Sequence, residues 1–183
     1  SILKDQGNLK EAELSLRKAI QLNPNFANAH YNLGTILTNL GNLKEAELAL
    51  RKAIELKPDF AFAHYNLGNI LIDTGNIEKS IENLEEAESS IRKAIELKPD
   101  YADAYFDLGM IFLYQDKHDI AIKYFSECAE LIRGKKSQET NHKRFTTISK
   151  AKIDHDIEQF EYLASQGYEA EKFTDLATLY KKV

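Results

Sequence analysis

The sequence has one cysteine, no long apolar run and no excess of positive charge, and each of these shortages argues against a class of protein. A single cysteine among 183 residues, Cys128, excludes an internal disulfide and most cysteine-rich metal sites. We expect a reducing, cytoplasmic setting for such a chain. No apolar run approaches the roughly 18 residues that span a bilayer, so we predict no membrane segment. A formal charge of −5 argues against a dedicated nucleic-acid binder.

The three prolines lie near the end of three copies of one short sequence motif. The copies RKAIQLNPNF, RKAIELKPDF and RKAIELKPDY place Pro24, Pro58 and Pro99 at intervals of 34 and then 41 residues. A 34-residue period is typical of stacked helical hairpins, each of which cannot bury its apolar face alone. The ring of each proline is expected to end the second helix of a hairpin.

Other residues recur in phase with the prolines. In units that begin three residues after each proline, the eighth position is glycine and follows leucine; these glycines are Gly34, Gly68 and Gly109. Small residues recur in the second half of the unit, at Ala12, Ala46, Ala87 and Ala121. The pattern resembles that of the tetratricopeptide repeat (TPR) family. The resemblance implies an all-α fold, a right-handed α-solenoid of helix-turn-helix hairpins.

The repeat phase predicts the organisation of the chain. We expect a TPR array over residues 1–133, made of a half repeat (1–26) and repeats at 27–60, 61–101 and 102–133. The array opens in the middle of a repeat, so we interpret the sequence as a piece of a longer protein. A loop is predicted over 134–144 and capping helices over 145–183, because terminal repeats need a cover for their open face.

Finer features follow from particular residues. Gly7, Gly41 and Gly75, each followed by asparagine, are predicted in turns between helices A and B. The glycines within helix A are expected where helix B crosses too closely for a Cβ atom. The seven extra residues of the third repeat are predicted to lengthen helix B into one continuous helix over 76–98. This insertion is either a tolerated duplication or a protruding contact for a partner or second subunit.

The resemblance implies a non-enzymatic module that binds a peptide or protein on its concave surface. In the family, helix A lines that surface at its second, fifth, sixth, ninth and thirteenth positions. Here these positions hold Asn28, Tyr31, Asn32, Thr35, Asn39, Phe62, Tyr65, Asn66, Asn69, Asp73, Asp103, Phe106, Asp107, Met110 and Tyr114.

Asn32 and Asn66 stand at the same position one repeat apart, and Asp107 follows in the last repeat. An asparagine amide offers a donor and an acceptor to an extended peptide backbone. The pair resembles the asparagine ladder in the TPRs of O-linked N-acetylglucosamine transferases; alternatively, it belongs to a repeat consensus and faces water. No lysine or arginine occupies the contact positions, which disfavours a carboxylate clamp and favours a neutral or basic peptide.

The remaining polar residues predict no catalytic, metal or cofactor site. His30 and His64 occupy an interhelical packing position, and Cys128 replaces a small core residue. The other histidines, His118, His142 and His155, lack ligand spacing. A basic cluster is interpreted as a solvated linker, with a phosphate or nucleic-acid contact as the alternative; it comprises Lys135, Lys136, Lys143, Arg144, Lys150 and Lys152.

Two other functions are compatible with the sequence. The array can be the non-catalytic targeting arm of a larger enzyme, a transferase or an oxygenase, whose catalytic domain lies outside this chain. It can also be a structural scaffold that self-associates through exposed repeat faces or the insertion.

Overall fold

A computed structural model describes residues 2–78, residues 81–139 and eight later positions: 158, 160, 162, 165, 173, 174, 177 and 178. The continuous part forms helices α1 (Ile2–Leu22), α2 (Ala27–Asn39), α3 (Leu43–Leu56), α4 (Ala61–Glu78), α5 (Ile81–Leu97), α6 (Ala102–Tyr114) and α7 (His118–Glu139). The predicted all-α fold is confirmed. The rest of the predicted loop and capping region lies outside the described residues.

The chain divides into two compact units. Unit 1 spans Ser1–Pro99 and unit 2 spans Asp100–Val183. Within unit 1 the helices pack in chain order, with α2 against α1 and α3, and α4 against α3 and α5. Within unit 2, α6 packs against α7. Each pair α2–α3, α4–α5 and α6–α7 is a helical hairpin, whose first helix is called helix A and whose second is called helix B.

Each proline follows the end of a helix as the spacing predicts. The helices α1, α3 and α5 end at Leu22, Leu56 and Leu97, two residues before the next proline. Two histidines near the start of helix A form hydrogen bonds with the preceding proline turn. His30 Nε2 lies 2.9 Å from the carbonyl oxygen of Pro24, and His64 Nε2 lies 2.9 Å from that of Pro58. Because a carbonyl oxygen only accepts, Nε2 donates in both bonds.

The glycines within helix A lie where helix B crosses. A Cβ atom on Gly34 would lie 2.7 Å from Leu50 Cγ, and one on Gly109 would lie 2.6 Å from Phe125 Cε1. A Cβ atom on Gly68 would overlap Ile91 in the same way. The predicted lack of room for a Cβ atom is therefore confirmed in all three hairpins.

The turn prediction holds for one of the three Gly-Asn pairs. Gly41 has a φ of +79° and ends α2 in a turn. Gly7 lies inside α1 and Gly75 inside α4, so the turns predicted at these two glycines are wrong. In α6–α7 the same turn position is held by Asp116, with a φ of 55°. Backbone bonds from Asp116 N to Leu113 O and from Lys117 N to Phe112 O close that turn.

The insertion lengthens both helices of the second hairpin, so the prediction of one long helix over 76–98 is wrong. α4 has 18 residues against 13 in α2, and α5 has 17 against 14 in α3. The contact between Gly68 and Ile91 explains the division. It is equivalent to the contact between Gly34 and Leu50 in the first hairpin, so the two helices cross at the same place in both hairpins. The extra residues lie between this contact and the turn, and both helices are longer there so that they stay paired.

The last hairpin extends further than the repeat pattern indicates. α7 continues through Arg133 and Gly134 to Glu139, so a loop over 134–139 is wrong. No proline stops the helix there, and the residues that follow Gly134 include good helix formers. Beyond α7, Phe160 and Phe173 are buried, and the Phe160 ring lies 5.0 Å from the Phe125 ring. That they belong to capping helices stays a prediction.

Candidate functional site

Unit 1 holds ten of the predicted contact residues on the helices A of its two hairpins. We call this set the α2–α4 face: Asn28, Tyr31, Asn32, Thr35 and Asn39 on α2, and Phe62, Tyr65, Asn66, Asn69 and Asp73 on α4. At about 100° per residue, each set falls within a sector of roughly 100° around its helix. The buried residues lie on other sides of these helices: Ala29, Leu33 and Leu37 in α2, and Ala63, Leu67, Ile70 and Leu71 in α4.

The α2 part of the face offers polar groups to solvent. Asn28, Asn32 and Asn39 are exposed, whereas Tyr31 and Thr35 are half-buried. The Tyr31 ring contacts the Phe60 ring with 4.7 Å between centroids. This aromatic pair joins α2 to the start of the next hairpin, so Tyr31 also has a structural role.

A hydrogen bond links the two helices across the face. Asn66 Nδ2 donates to Thr35 Oγ1 at 3.2 Å, and Thr35 Oγ1 donates to the carbonyl oxygen of Tyr31 at 3.1 Å. Asn66 therefore differs from its counterpart Asn32, because part of its amide already serves the packing of α4 on α2. Sequence reasoning missed this bond, although Thr35 and Asn66 stand at contact positions of adjacent repeats.

Two acceptors on α4 have little internal use. Asn69 Oδ1 is buried and has no hydrogen-bond partner among the described residues. Asp73, one turn further along α4, is exposed. Partial desolvation raises the pKa of the Asp73 carboxyl above its ordinary value of 3.8. Asp73 therefore places a negative charge at this end of the face, whereas the buried Asn69 oxygen is closed to solvent.

The α6 residues belong to unit 2 and divide into two groups. Phe106 is only 8% exposed, and its ring contacts those of Phe125 and Phe160 at 5.3 and 6.2 Å. It is a core residue of unit 2 in this structure and not a surface contact. Asp103, Asp107 and Met110 are half-buried, and Tyr114 is 52% exposed.

The helices B carry a second periodic feature, made of arginine and glutamate. Arg17 binds Glu13 in its own helix at 2.8 Å and Glu45 of the next hairpin at 2.7 Å. Arg51 likewise binds Glu47, and both of its terminal nitrogens bond to the Glu86 carboxylate. The i,i+4 partners can be predicted from spacing, whereas the partners on the next hairpin become visible only in the structure.

The predicted absence of a metal site concerns residues that the structure describes only in part. Among the described residues, no three His, Cys, Asp or Glu side chains converge to hold a metal ion. Cys128 is buried. His142, His155 and the basic residues from Lys143 to Lys152 lie outside the described part of the chain. No described helix is long and apolar enough to cross a membrane.

Three family profiles match the chain. A TPR repeat profile matches residues 1–41, and tetratricopeptide repeat profiles match residues 27–60 and 59–133. Together they cover the region over which the helical hairpins repeat. The chain belongs to the tetratricopeptide repeat family.

Solved structures with the same fold include that of MamA, which has a TM-score of 0.72 at 20% identity and covers 98% of this chain and 90% of its own. YrrB, described as a TPR protein with an unusual peptide-binding site, has a TM-score of 0.62 at 22% identity over 89% of this chain and 73% of its own. A mutant O-GlcNAc transferase from Thermobaculum terrenum is 30% identical over 65% of this chain and 23% of its own, with a TM-score of 0.54.

No curated protein sequence matches the chain. The likeness to MamA and YrrB shows the fold alone. The repeats and the fold together support the role of a protein–protein interaction module.

Proposed function

We propose that unit 1 binds an extended peptide segment of a partner protein across the α2–α4 face. The observation that carries the proposal is the arrangement of this face, which exposes amide side chains on α2 and the Asp73 carboxylate on α4. Such groups match the alternating N–H and C=O groups of an extended backbone. The YrrB structure supports the proposal, because its description assigns a peptide-binding site to a protein of the same fold.

Within the face, Asn32 is the contact that we consider best suited to a peptide bond. It is exposed, and its amide carries two donor hydrogens and one acceptor oxygen. Asn66 retains Oδ1 and a second N–H after donating to Thr35. Unit 2 is considered by itself: Asp103, Asp107, Met110 and Tyr114 on α6 stay predicted peptide contacts there, whereas Phe106 is left out because its ring is buried.

The charge of the face favours a neutral or basic peptide. None of the ten positions carries lysine, arginine or histidine, and Asp73 adds a negative charge. A terminal carboxylate or an acidic peptide would therefore find no cationic side chain at these positions.

Selection of a random 12-residue peptide display library on the purified chain tests the proposal. We expect recovered peptides to lose affinity about tenfold on Asn32→Ala, the effect of roughly 1.4 kcal/mol for lost hydrogen bonds. Asn66→Ala should weaken binding too, with some loss of stability because the bond to Thr35 disappears. Asn25→Ala is the matched control, since Asn25 is exposed in the first proline turn. Equal affinity of wild type and both face variants would contradict the proposal.

A second candidate is that the array directs a larger enzyme to its substrate proteins. The observation in its favour is the 30% identity with the Thermobaculum terrenum O-GlcNAc transferase, in which the matching segment forms 23% of the chain. Sequencing the complete reading frame tests this candidate. A catalytic domain in the same frame would support it, and a frame without one would exclude it.

A further inference from the structure

We propose that the outer side of α1 and α3 binds an acidic amphipathic helix of a partner protein. This surface is separate from the α2–α4 face, and the observations that carry it are independent of the proposed function. It consists of two exposed leucines with three lysines around them. We call this set the outer patch: Lys10, Leu14 and Lys18 on α1, and Lys44 and Leu48 on α3.

The two leucines of the outer patch are exposed on neighbouring helices. Leu14 is 71% exposed and Leu48 is 68% exposed. They occupy the same repeat position, 34 residues apart. The ion pair of Arg17 on α1 with Glu45 on α3 joins the two helices. A single exposed leucine is ordinary, whereas two on the same side of neighbouring helices form a surface that a partner can cover.

The outer patch faces away from the core of unit 1. The buried residues of α3 lie together on one side of the helix: Ala46, Ala49, Leu50 and Ala53. At about 100° per residue, Lys44 and Leu48 lie on the opposite side. Leu48 is therefore not part of the hairpin core, and a polar residue in its place would cost the hairpin no packing.

The lysines give the outer patch a positive charge. Lys10, Lys18 and Lys44 are exposed, and none of them forms an ion pair with another residue that the structure describes. Positive charge thus flanks the two leucines on both helices. Such a surface is complementary to a partner that carries acidic residues beside apolar ones.

The carboxylates near the outer patch leave this charge largely in place. Glu45 binds Arg17, and Glu55 binds Lys52 at 2.7 Å. Glu11 is exposed at the edge of the patch and forms no ion pair with a described residue. Three lysines therefore stand against one carboxylate that has no cationic partner in the described structure.

The third helix B of unit 1 lacks both features of the outer patch. At the positions of Lys44 and Leu48, α5 has Glu85 and Ser89, and both are exposed. The outer patch is therefore particular to α1 and α3 and is not a general property of the repeat. It is bordered by negative charge on the side of α5.

This border favours a narrow occupant. A membrane with anionic lipids would also meet the acidic outer side of α5 and a chain with a net charge of −5, so repulsion would oppose its binding. A second copy of unit 1 would offer the carboxylates of α5, but with Ser89 where a leucine is needed. An acidic amphipathic helix brings apolar and negative side chains on one narrow face, so it can cover the leucines and contact the lysines together.

The test is a selection of displayed random peptides of about 18 residues, which is roughly five helical turns. Peptides are selected on the wild-type chain in the presence of an excess of Leu14→Gln/Leu48→Gln. Glutamine is about as good a helix former as leucine, so this variant should keep the urea midpoint of wild type. We expect acidic peptides with helical spacing of their apolar residues, which bind wild type at least tenfold more tightly than the double variant.

Charge variants and matched controls locate the contact. Lys10→Glu and Lys44→Glu should each weaken these peptides at least threefold in low salt, and less in high salt. Lys123→Glu and Ile120→Gln, the same kinds of change at exposed residues of α7, should leave the affinity within twofold. Asn32→Ala should also leave it unchanged, which separates this surface from the α2–α4 face.

Several outcomes would overturn the inference. The first is that no recovered peptide distinguishes wild type from the double variant, and the second is that the peptides which do so are not acidic. A wild-type dimer in sedimentation velocity that dissociates in the double variant would assign the outer patch to a second copy of the chain. Co-sedimentation with vesicles of phosphatidylcholine and phosphatidylserine at about 3:1, lost in the double variant, would assign it to a membrane. Either assignment would replace the acidic helix.

Discussion

At the scale of single residues, the crossing of helices A and B depends on the missing side chain of one glycine. In the first hairpin a Cβ atom at Gly34 would meet both Leu50 and the carbonyl oxygen of Ala46, the latter at 3.2 Å. Because one of these neighbours is backbone, the clash cannot be relieved by turning a side chain.

We therefore expect Gly34→Ala to destabilise the chain by about 1–3 kcal/mol, although alanine is the better helix former. Urea unfolding followed by circular dichroism measures the change. Gly7→Ala is the control, because Gly7 lies inside α1 with nothing within 4 Å of its missing Cβ atom. This control should be stabilised, by up to about 1 kcal/mol. Stabilisation in both variants would contradict the close crossing.

A left-handed turn residue gives a prediction of the opposite sign. Asp116 has a φ of 55° where the first hairpin has Gly41. Glycine adopts this conformation without strain, whereas aspartate tolerates it better than most L residues but still at some cost. Asp116→Gly should thus stabilise unit 2 by roughly 0.5–1 kcal/mol, and Gly41→Ala should destabilise unit 1 by a similar amount. Thermal unfolding of both variants tests the pair, and a lower melting temperature for Asp116→Gly would refute this reading of the turn.

A pH dependence follows from one ion pair. The hydrogen bonds from Arg51 hold the pKa of Glu86 below its ordinary value of 4.5. Because the folded pKa is lowered, the stabilisation is present above pH 4.5 and is lost as pH falls through the folded pKa. Both side chains are substantially exposed, so the effect is at most about 1 kcal/mol. Glu86→Gln should be less stable than wild type at pH 7 in low salt, and this difference should shrink as the pH is lowered below 4.5. A constant difference between these pH values would contradict the assignment.

At the scale of elements, the prolines predict where each helix B ends, but they do not predict how the insertion is shared. Seven extra residues are about two helical turns. They keep the apolar positions in phase both if helix B alone is lengthened by two turns and if helices A and B are each lengthened by about one turn. The choice depends on packing beyond the contact between Gly68 and Ile91, which periodicity does not contain.

Deletion of residues 80–86 should restore a 34-residue hairpin. It joins Lys79 to Ala87 and recreates the sequence order of the first hairpin, so we expect Gly75 to end a shortened α4. The helical signal should fall, and stability should change by about 1 kcal/mol or less. Because Lys79 then takes the position that Glu45 holds opposite Arg17, Lys79→Glu in this background should add a few tenths of a kcal/mol. A deletion variant that does not unfold cooperatively would contradict the shared extension.

At the scale of the whole molecule, the side-chain interactions described between successive hairpins lie inside unit 1. They include the ion pairs of Arg17 with Glu45 and of Arg51 with Glu86, and the bond from Asn66 to Thr35. Stability in such arrays is approximately a sum over repeats and their neighbours. A fragment of residues 1–99 should therefore fold cooperatively and retain peptide affinity within about threefold. Absence of an unfolding transition in calorimetry would show that unit 1 is not independent.

The contact positions could be predicted from the repeat, but their exposure could not. Phe106 stands at the same repeat position as Tyr31 and Tyr65, and yet its ring is buried beneath Phe160, more than 50 residues later. Similarly, Asn66 matches Asn32 in sequence, but only Asn66 has Thr35 within hydrogen-bond distance. Both differences arise from neighbours that are distant in the chain.

The residues that pack on the helix A glycines affect which helix B each helix A pairs with during folding. Repeats of similar sequence can exchange partners while the chain folds, and a helix A can then pair with the wrong helix B. Here the crossing side chain is Leu50 in the first hairpin, the β-branched Ile91 in the second and the larger Phe125 in the third. A mispaired hairpin would join a glycine site to a side chain of the wrong shape, which leaves either a void or a clash. The contact at each helix crossing therefore also disfavours pairing of a helix A with the helix B of another hairpin.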